Sequence, residues 1–378
     1  MNNLFFGGRG SINNLRSVLS GFRAGKVLLV TGKRSYDECP IREKVELNLE
    51  NSKVLRHCDF EINPKVEDLI RGASLIASFK PDALVAVGGG SVLDTAKMLS
   101  ILPADPKSIT SIIKGGSKVP TRTKQLILIP TTSGSGSEAT HFAVAYIRNV
   151  KYSIASKYLL PDAVILDSEF TDTMSKELTA ITAFDAFSQA IESFWSLGAT
   201  KESKKYAVES IGIVLDVFEK LINIPGPSVR DKMMRASFLS GKAINISKTT
   251  APHALSYALT QNFGIPHGLA VMLLLPAFFR ANAAADRLSL NAVMNFDEYL
   301  KRINELKTMM GVASTNEAVS KISKMILFAG FQPHLRDYGV NNTSDIKLLV
   351  DSINIDRLSN NPVIINREQL VSLLETVY

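Results

Sequence analysis

The sequence predicts an α/β domain with a doubly wound, Rossmann-like sheet in its first half and an all-α domain in its second. Three observations carry this expectation. Short apolar runs alternate with helical patterns as far as Leu166, the strand signal fades from Ser175 onward, and a run of glycines stands where one strand meets a helix. The length of 378 residues suits two domains, at roughly 150 residues apiece. The expected division is 1–170 against 171–378.

The strands come first. Lys26 to Thr31, Ala83 to Val87, Leu126 to Ile129 and Ala163 to Leu166 are almost continuously apolar, which is the pattern of a parallel sheet covered on both faces. Helical spacing over Val66 to Phe79 supplies a right-handed βαβ crossover. In the second half, 3.6-residue periodicity marks helices over Leu178–Trp195, Lys201–Leu221, Val229–Ile246, Leu269–Ala284, Phe296–Met310 and Asn316–Phe328. Pro225-Gly226-Pro227 and Ser247 to Pro252 break them. The tail from Asn341 to Tyr378 reads as short helices, the last over Arg367 to Val377.

Composition excludes several functions. Apolar residues make up 46% of the chain and charged residues 21%, with a net charge of +7, as in ordinary globular proteins. The longest apolar run, Leu269 to Phe279, holds 11 residues and contains Pro276, whereas a membrane-spanning helix needs about 20. The start, Met1 to Gly7, has neither the charged nor the apolar region of a secretory signal. Cys39 and Cys58 form no disulfide framework and lack metal-ligand spacing. The expected compartment is the cytoplasm. Lysines and arginines are not gathered into a stripe, and the densest patch, Lys201 to Lys205, is interrupted by Glu202. That is a solvated helix face, so neither nucleic acid nor a membrane is expected as partner. A small anionic substrate stays compatible with the charge.

Gly88-Gly89-Gly90-Ser91 directly follows a strand and opens a helix. Without Cβ atoms the backbone can approach a pyrophosphate, and the free N–H groups of the helix start bind it. The spacing is not G-x-G-x-x-G, so the usual Rossmann fingerprint is absent. A second loop, Pro130 to Glu138, collects hydroxyls and glycines after another strand, including Thr131 and Thr132. Two such loops at the carboxyl edge of a sheet point to a dinucleotide. A site for NAD usually places an acid on the ribose near such a strand end. Here Gly32 is followed by Lys33, Arg34 and Ser35, which predicts NADP over NAD unless both cations point to solvent.

In the helical half Asp185 and Gln189 stand four residues apart on one helix face. His253 and His267 account for two of the five histidines. A carboxylate, an amide and two imidazoles make a candidate divalent-metal site, although a lone His is more often a satisfied polar residue.

These pieces together resemble the iron-containing (group III) alcohol dehydrogenases. The likeness rests on Gly88 to Lys97, Pro130 to Thr140, Phe184-Asp185-Ala186-Phe187 and Pro266-His267-Gly268, and runs in order from Phe6-Gly7 to Asn361-Pro362. The resemblance implies a dehydroquinate synthase-like architecture, with a cleft for NAD(P) and one divalent metal, Fe²⁺ or Zn²⁺. It implies reversible hydride transfer between an alcohol and an aldehyde or ketone, and a homodimer. It places metal ligands at Asp185, Gln189, His253 and His267, with Asp94, Thr131, Thr132 and Lys151 lining the cofactor groove. Two departures stand out: Gln189 replaces a ligating His, and Tyr257 replaces a His near the substrate. An amide oxygen is the weaker ligand for most divalent metals. Tyr257 remains a proton donor, though with a reference pKa of about 10.

Both departures, with Asp185 to Ser196 and Lys248 to Tyr257, resemble a branch that includes phosphonoacetaldehyde reductases. Lys248, Thr249 and Thr250 would then face an anionic head group, or Lys248 is only a helix-end charge. His267 and Tyr257 are the expected catalytic residues. Two other readings compete: a metal- and NAD-dependent lyase of the dehydroquinate-synthase type, and a pseudoenzyme that lost its metal at Gln189.

Overall fold

The computed structural model describes residues 4–148, 150–353 and 358–378. The chain forms two compact units, one ending at Met174 and the other beginning at Ser175. The division falls four residues beyond the expected one because a short 3₁₀ turn, Ser168–Thr171, follows the last strand. The reading of the chain start at Met1 to Asn3, and part of the tail at 354–357, lie outside the described residues.

The first unit is built on six parallel strands: β1 (Leu4–Gly7), β2 (Lys26–Thr31), β3 (Lys53–His57), β4 (Ala83–Gly88), β5 (Gln125–Pro130) and β8 (Ala163–Leu166). Their order across the sheet is β1-β8-β5-β4-β2-β3. An antiparallel hairpin, β6 (Phe142–Ile147) with β7 (Val150–Ala155), stands apart from the sheet. The helices are α1 (Leu15–Gly21), α2 (Arg34–Asp37), α3 (Arg42–Leu49), α4 (Val66–Phe79), α5 (Gly90–Ile101) and α6 (Pro106–Ile113).

Alternation within each apolar strand explains the double covering. Leu28, Val30, Leu84, Ala86, Leu126 and Leu128 pack into one core with α4, α5 and α6. Val27, Leu29, Val85, Val87, Ile127 and Ile129 pack into the other with α1 and α3. Successive side chains point to opposite faces, so both faces are filled only if every residue is apolar. Strands β1, β3, β6 and β7 are absent from the sequence reading. Leu4 and Phe5 are exposed on β1, as are Lys53 and Val54 on β3, where only His57 is fully buried. An edge strand needs no continuous apolar run and leaves a weak signal.

From β2 the chain steps outward to β3, then returns past β2 to β4 and continues to β5 and β8. The order reverses between β2 and β4, which is where open α/β sheets bind ligands, outside the carboxyl ends of the strands. Gly32, Gly88 and Pro130 to Thr132 all lie at those ends.

The second unit is helical: α7 (Lys176–Trp195), α8 (Lys201–Asn223), α9 (Pro227–Ser247), α10 (Ala251–Phe263), α11 (His267–Ala283), α12 (Phe296–Met309), α13 (Thr315–Phe328), α14 (Thr343–Asp351) and α15 (Arg367–Glu375). The sequence periodicity locates most of these within a few residues. The α11 start at His267 is earlier than expected because Gly264, at φ 69°, ends α10 and Pro266 caps the next helix. Among the described residues no helix is long and apolar enough to cross a membrane. Helix α7 packs on α8, α9 and α11, and its Phe184, Phe187, Ile191 and Trp195 are buried in the core.

Gly268 sets the approach of α11 to α7. A Cβ there would fall 2.1 Å from the Ile181 carbonyl oxygen and 3.1 Å from the Asp185 Cβ. Only glycine lets the two backbones come this close, and the residue just before it is His267. Gly268→Ala should therefore destabilise the helical unit by at least about 1–3 kcal/mol, the usual cost of overpacking. Denaturant unfolding of both proteins checks this, and an unchanged midpoint would contradict it.

Candidate metal centre and nucleotide loops

Helix α7 begins at Ser175, whose hydroxyl accepts from the Leu178 N–H at 3.1 Å. Along its buried face it presents Asp185, Gln189 and Glu192, at i, i+4 and i+7. Helix α10 brings His253 in its first turn, and α11 opens with His267. Ligand atoms of Asp185, His253 and His267 lie within 4.8 Å of one another. His253 Nε2 is 3.2 Å from Asp185 Oδ1 and His267 Nε2 is 3.9 Å from the same oxygen.

The hydrogen bonds assign the imidazole tautomers. Glu192 Oε1 pairs with His253 Nδ1, so that nitrogen carries a proton and Nε2 is the atom left to face Asp185. Ser256 gives its only proton to the His253 carbonyl at 2.8 Å. Its oxygen must then accept from His267 Nδ1, 3.2 Å away, so that nitrogen carries the proton and Nε2 is the one turned toward Asp185. Nε2 of each ring faces one buried carboxylate, the donor set a divalent cation needs.

Charge favours the same reading. Burial alone would lower the His253 pKa, but Glu192 and Asp185 outweigh it and raise it to about 9. Burial pushes Asp185 up, and hydrogen bonds from His253 and Gln189, with the charge of His267, hold its carboxyl below the ordinary value. Two carboxylates thus surround His253, and only a cation or a proton balances them. The residues present fit a divalent metal.

Gln189 is hydrogen-bonded into the same cluster. Its amide hydrogen-bonds Asp185, and its Oε1 is 3.0 Å from the Ser240 hydroxyl, which also reaches the Ser237 carbonyl at 2.8 Å. Tyr257 stacks on His267, ring centroids 5.2 Å apart and 7° from parallel.

Glu192 is the residue the sequence reading missed. It is fully buried, and its Oε2 accepts from the Thr250 N–H at 2.7 Å and the Thr250 hydroxyl at 2.9 Å. Trp195 Nε1 donates to that hydroxyl at 2.9 Å. The signal was present: an acid seven residues after Asp185, on an apolar face, needs a partner. Thr250, one of three residues expected near the substrate, is committed to this network.

Lys248 and Thr249 remain. Lys248 is exposed and Thr249 half-buried. Lys248 caps α9 at φ 61° and ψ 175°, a region nearly reserved for glycine and costing about 1–3 kcal/mol for other residues.

In the first unit Gly88, Gly89 and Gly90 all have negative φ, so the glycines serve close packing rather than a left-handed turn. A Cβ on Gly88 would meet Val92 at 2.4 Å, and one on Gly90 would meet the Ser135 hydroxyl at 3.1 Å. The α5 start is therefore bare backbone, and Ser91 Oγ accepts from the Asn63 N–H at 3.1 Å. Thr131 N–H donates to the Gly88 carbonyl at 3.1 Å, and Thr132 flanks Gly89, which joins the two loops.

Asp94 is a brace. Its oxygens accept from the Ser137 hydroxyl at 2.6 Å and the Val144 N–H at 3.0 Å. The fully buried Lys97 donates to Ser137 and Thr140, both at 3.0 Å, and to the Phe142 carbonyl at 2.8 Å. Burial lowers Lys97 to about 8 and raises Glu138 to about 7. Lys151 lies half-exposed on β7.

Around Gly32 the two cations are paired: Lys33 with Asp59 at 3.1 Å and Arg34 with Glu38 at 2.7 Å. Arg56, also unforeseen, binds the Thr31 hydroxyl at 2.8 Å, the Gly32 carbonyl at 2.9 Å and Asp37. A Cβ at Gly32 would sit 2.2 Å from the Ser35 hydroxyl, so no acid fits there without moving that side chain.

Replacing Glu192 by Gln should weaken divalent-metal binding about 10–100-fold, as loss of a carboxylate behind a ligating His does. Competition with a chromophoric chelator reads this directly, and an unchanged affinity would contradict the site.

The family profile described as "Iron-containing alcohol dehydrogenase" matches residues 2–168, and its counterpart "Fe-containing alcohol dehydrogenase family, C-terminal" matches residues 179–378. The chain is 28% identical to the NADPH-dependent butanol dehydrogenase of Clostridium saccharobutylicum, over 98% of this chain and 95% of that protein. It is likewise 28% identical to the sulfoacetaldehyde reductase of Bilophila wadsworthia, over 97% and 95%. The solved sulfoacetaldehyde reductase of Bifidobacterium kashiwanohense, in complex with NAD⁺, superposes with a TM-score of 0.89 at 28% identity, covering 99% of this chain and 96% of that one. The chain belongs to the iron-containing alcohol dehydrogenase family and is an oxidoreductase of that type.

Proposed function

We propose that this chain is a metal-dependent, NADPH-linked reductase of a small aldehyde carrying an anionic head group, such as a phosphonate or sulfonate. The observation that carries the reading is the Asp185–His253–His267 donor set with Glu192 behind it. Asp185, His253 and His267 would hold one Fe²⁺ or Zn²⁺, while Gln189 braces Asp185. NADPH would lie against Gly88 to Ser91, Thr131 and Thr132. When bound, these groups supply Lewis acidity toward a carbonyl oxygen and a hydride toward its carbon.

The chain's own residues do the rest. The bare N–H groups at the start of α5 receive the pyrophosphate, aided by the helix dipole. Lys97 and Asp94 hold the second loop in shape beneath it. Gly32 puts no acid where one would repel a 2′-phosphate, and Lys33 and Arg34 would turn from their exposed pairs with Asp59 and Glu38 to meet that group. Tyr257, stacked on His267, holds a phenolic proton within the site and gives it to the product oxygen. Two relatives named sulfoacetaldehyde reductase support the anionic head group. The reading also includes a homodimer, as the family resemblance implies, and work in the cytoplasm, as expected from the sequence.

With Fe²⁺ or Zn²⁺ supplied, the protein should oxidise NADPH in step with aldehyde consumed, faster with phosphonoacetaldehyde or sulfoacetaldehyde than with an uncharged aldehyde of similar size. Aldehyde turnover without net NADPH oxidation, or no turnover with metal bound, would overturn the reading. His267→Ala should lose that turnover while NADPH still binds, as fluorescence titration would report.

A further inference from the structure

We infer that Lys248 is the residue that selects the anionic aldehyde, with its ammonium group receiving the tetrahedral oxyanion and the Thr249 hydroxyl beside it. The inference rests on the anionic-substrate reading above and names the residue responsible. Its support is a conflict between backbone and side chain. At φ 61° and ψ 175° this position suits glycine, yet it carries a lysine.

The backbone cannot relax out of that geometry. Asn360 Nδ2 spans the residue, donating to the Ser247 carbonyl on one side and the Thr249 carbonyl on the other, each at 2.8 Å. The Lys248 N–H donates to the Ile244 carbonyl at 2.8 Å, and the Ser247 hydroxyl lies 3.0 Å from the Lys248 carbonyl. From the far side Gly198 closes in, since a Cβ there would fall 2.7 Å from the Ser247 carbonyl oxygen. Thr250 is tied to Glu192 and Trp195.

The Lys248 N–H is used inside the protein and its carbonyl lies against the Ser247 hydroxyl, but the ammonium has no ion pair or hydrogen bond among the described residues. What the lysine adds over glycine is one free cation, five residues before His253 in the turn that opens α10. A cation at the end of α9 gains from the helix dipole, but an exposed charge gains less there than this backbone region costs. A residue kept against its own backbone preference points to a use for its side chain. The Thr249 hydroxyl likewise has no partner among the described residues, whereas that of Thr250 is taken. Lysine and threonine donors together suit a phosphonate or sulfonate.

The test compares metal-loaded wild type, Lys248→Gly and Lys248→Arg. For each, kcat/KM is measured with sulfoacetaldehyde and with propanal, and the thermal midpoint is recorded. Lys248→Gly should unfold at a higher temperature, because the backbone strain is gone. Its ratio of kcat/KM for the anionic over the uncharged aldehyde should fall at least about tenfold. Lys248→Arg, which keeps the charge, should hold that ratio within about threefold of wild type. An unchanged ratio in Lys248→Gly, or a lowered midpoint, overturns the inference. A wild type with no preference for the anionic aldehyde overturns the substrate reading instead.

Discussion

The helical unit is organised by one buried run of polar contacts, from Asp185 through His253 to Glu192. Ionisable groups shut away from water are costly unless each meets an opposite charge or a donor. Here both carboxylates come from α7, while the imidazole and the two Thr250 donors come from α10 and its cap. The same contacts that satisfy the charges therefore fix the register of the two helices. They also leave one nitrogen of His253 facing Asp185. Gly268 then brings α11 close enough for His267 to complete the set, and the Ser256 hydroxyl orients that second ring.

The first unit solves a different problem by related means. Its sheet is apolar on both faces, so polar chemistry is confined to the loops at the carboxyl edge. Such loops must stay open to a ligand and yet hold their shape. The glycines keep the α5 start bare, and buried charge does the holding: Lys97 and Asp94 grip the second loop from below, while Arg56 ties the Gly32 turn to the strand before it. A buried lysine with three oxygen partners is a brace that apolar packing could not replace, because those oxygens would be left unsatisfied.

Much of this was readable in the amino-acid order. Continuous apolar strands such as Leu126 to Ile129, and the long periodic helices, announce themselves because burial on two faces or one stripe leaves no choice of residue type. Edge strands β1 and β3 do not, since solvent tolerates almost anything on one side. Asp185, His253 and His267 were readable from ligand type and family resemblance, and the structure brings them together. Glu192, Arg56 and Lys97 were not singled out. Each acts through another residue, and a brace has no spacing signature until its partner is known. Lys33 and Arg34 show the converse: sequence puts cations at the right turn, but only coordinates reveal the carboxylates that pair with them. The strained backbone at Lys248 is a further case, because dihedral angles imposed by Asn360, more than a hundred residues away, leave no local trace.

The most direct check on the central claim is to locate the metal. Crystals of the iron-loaded protein, measured on either side of the iron absorption edge, should show one anomalous peak about 2.0–2.3 Å from an Asp185 oxygen and from Nε2 of both His253 and His267. A peak held by other residues, or none at this position in protein that retains its iron, would contradict the account.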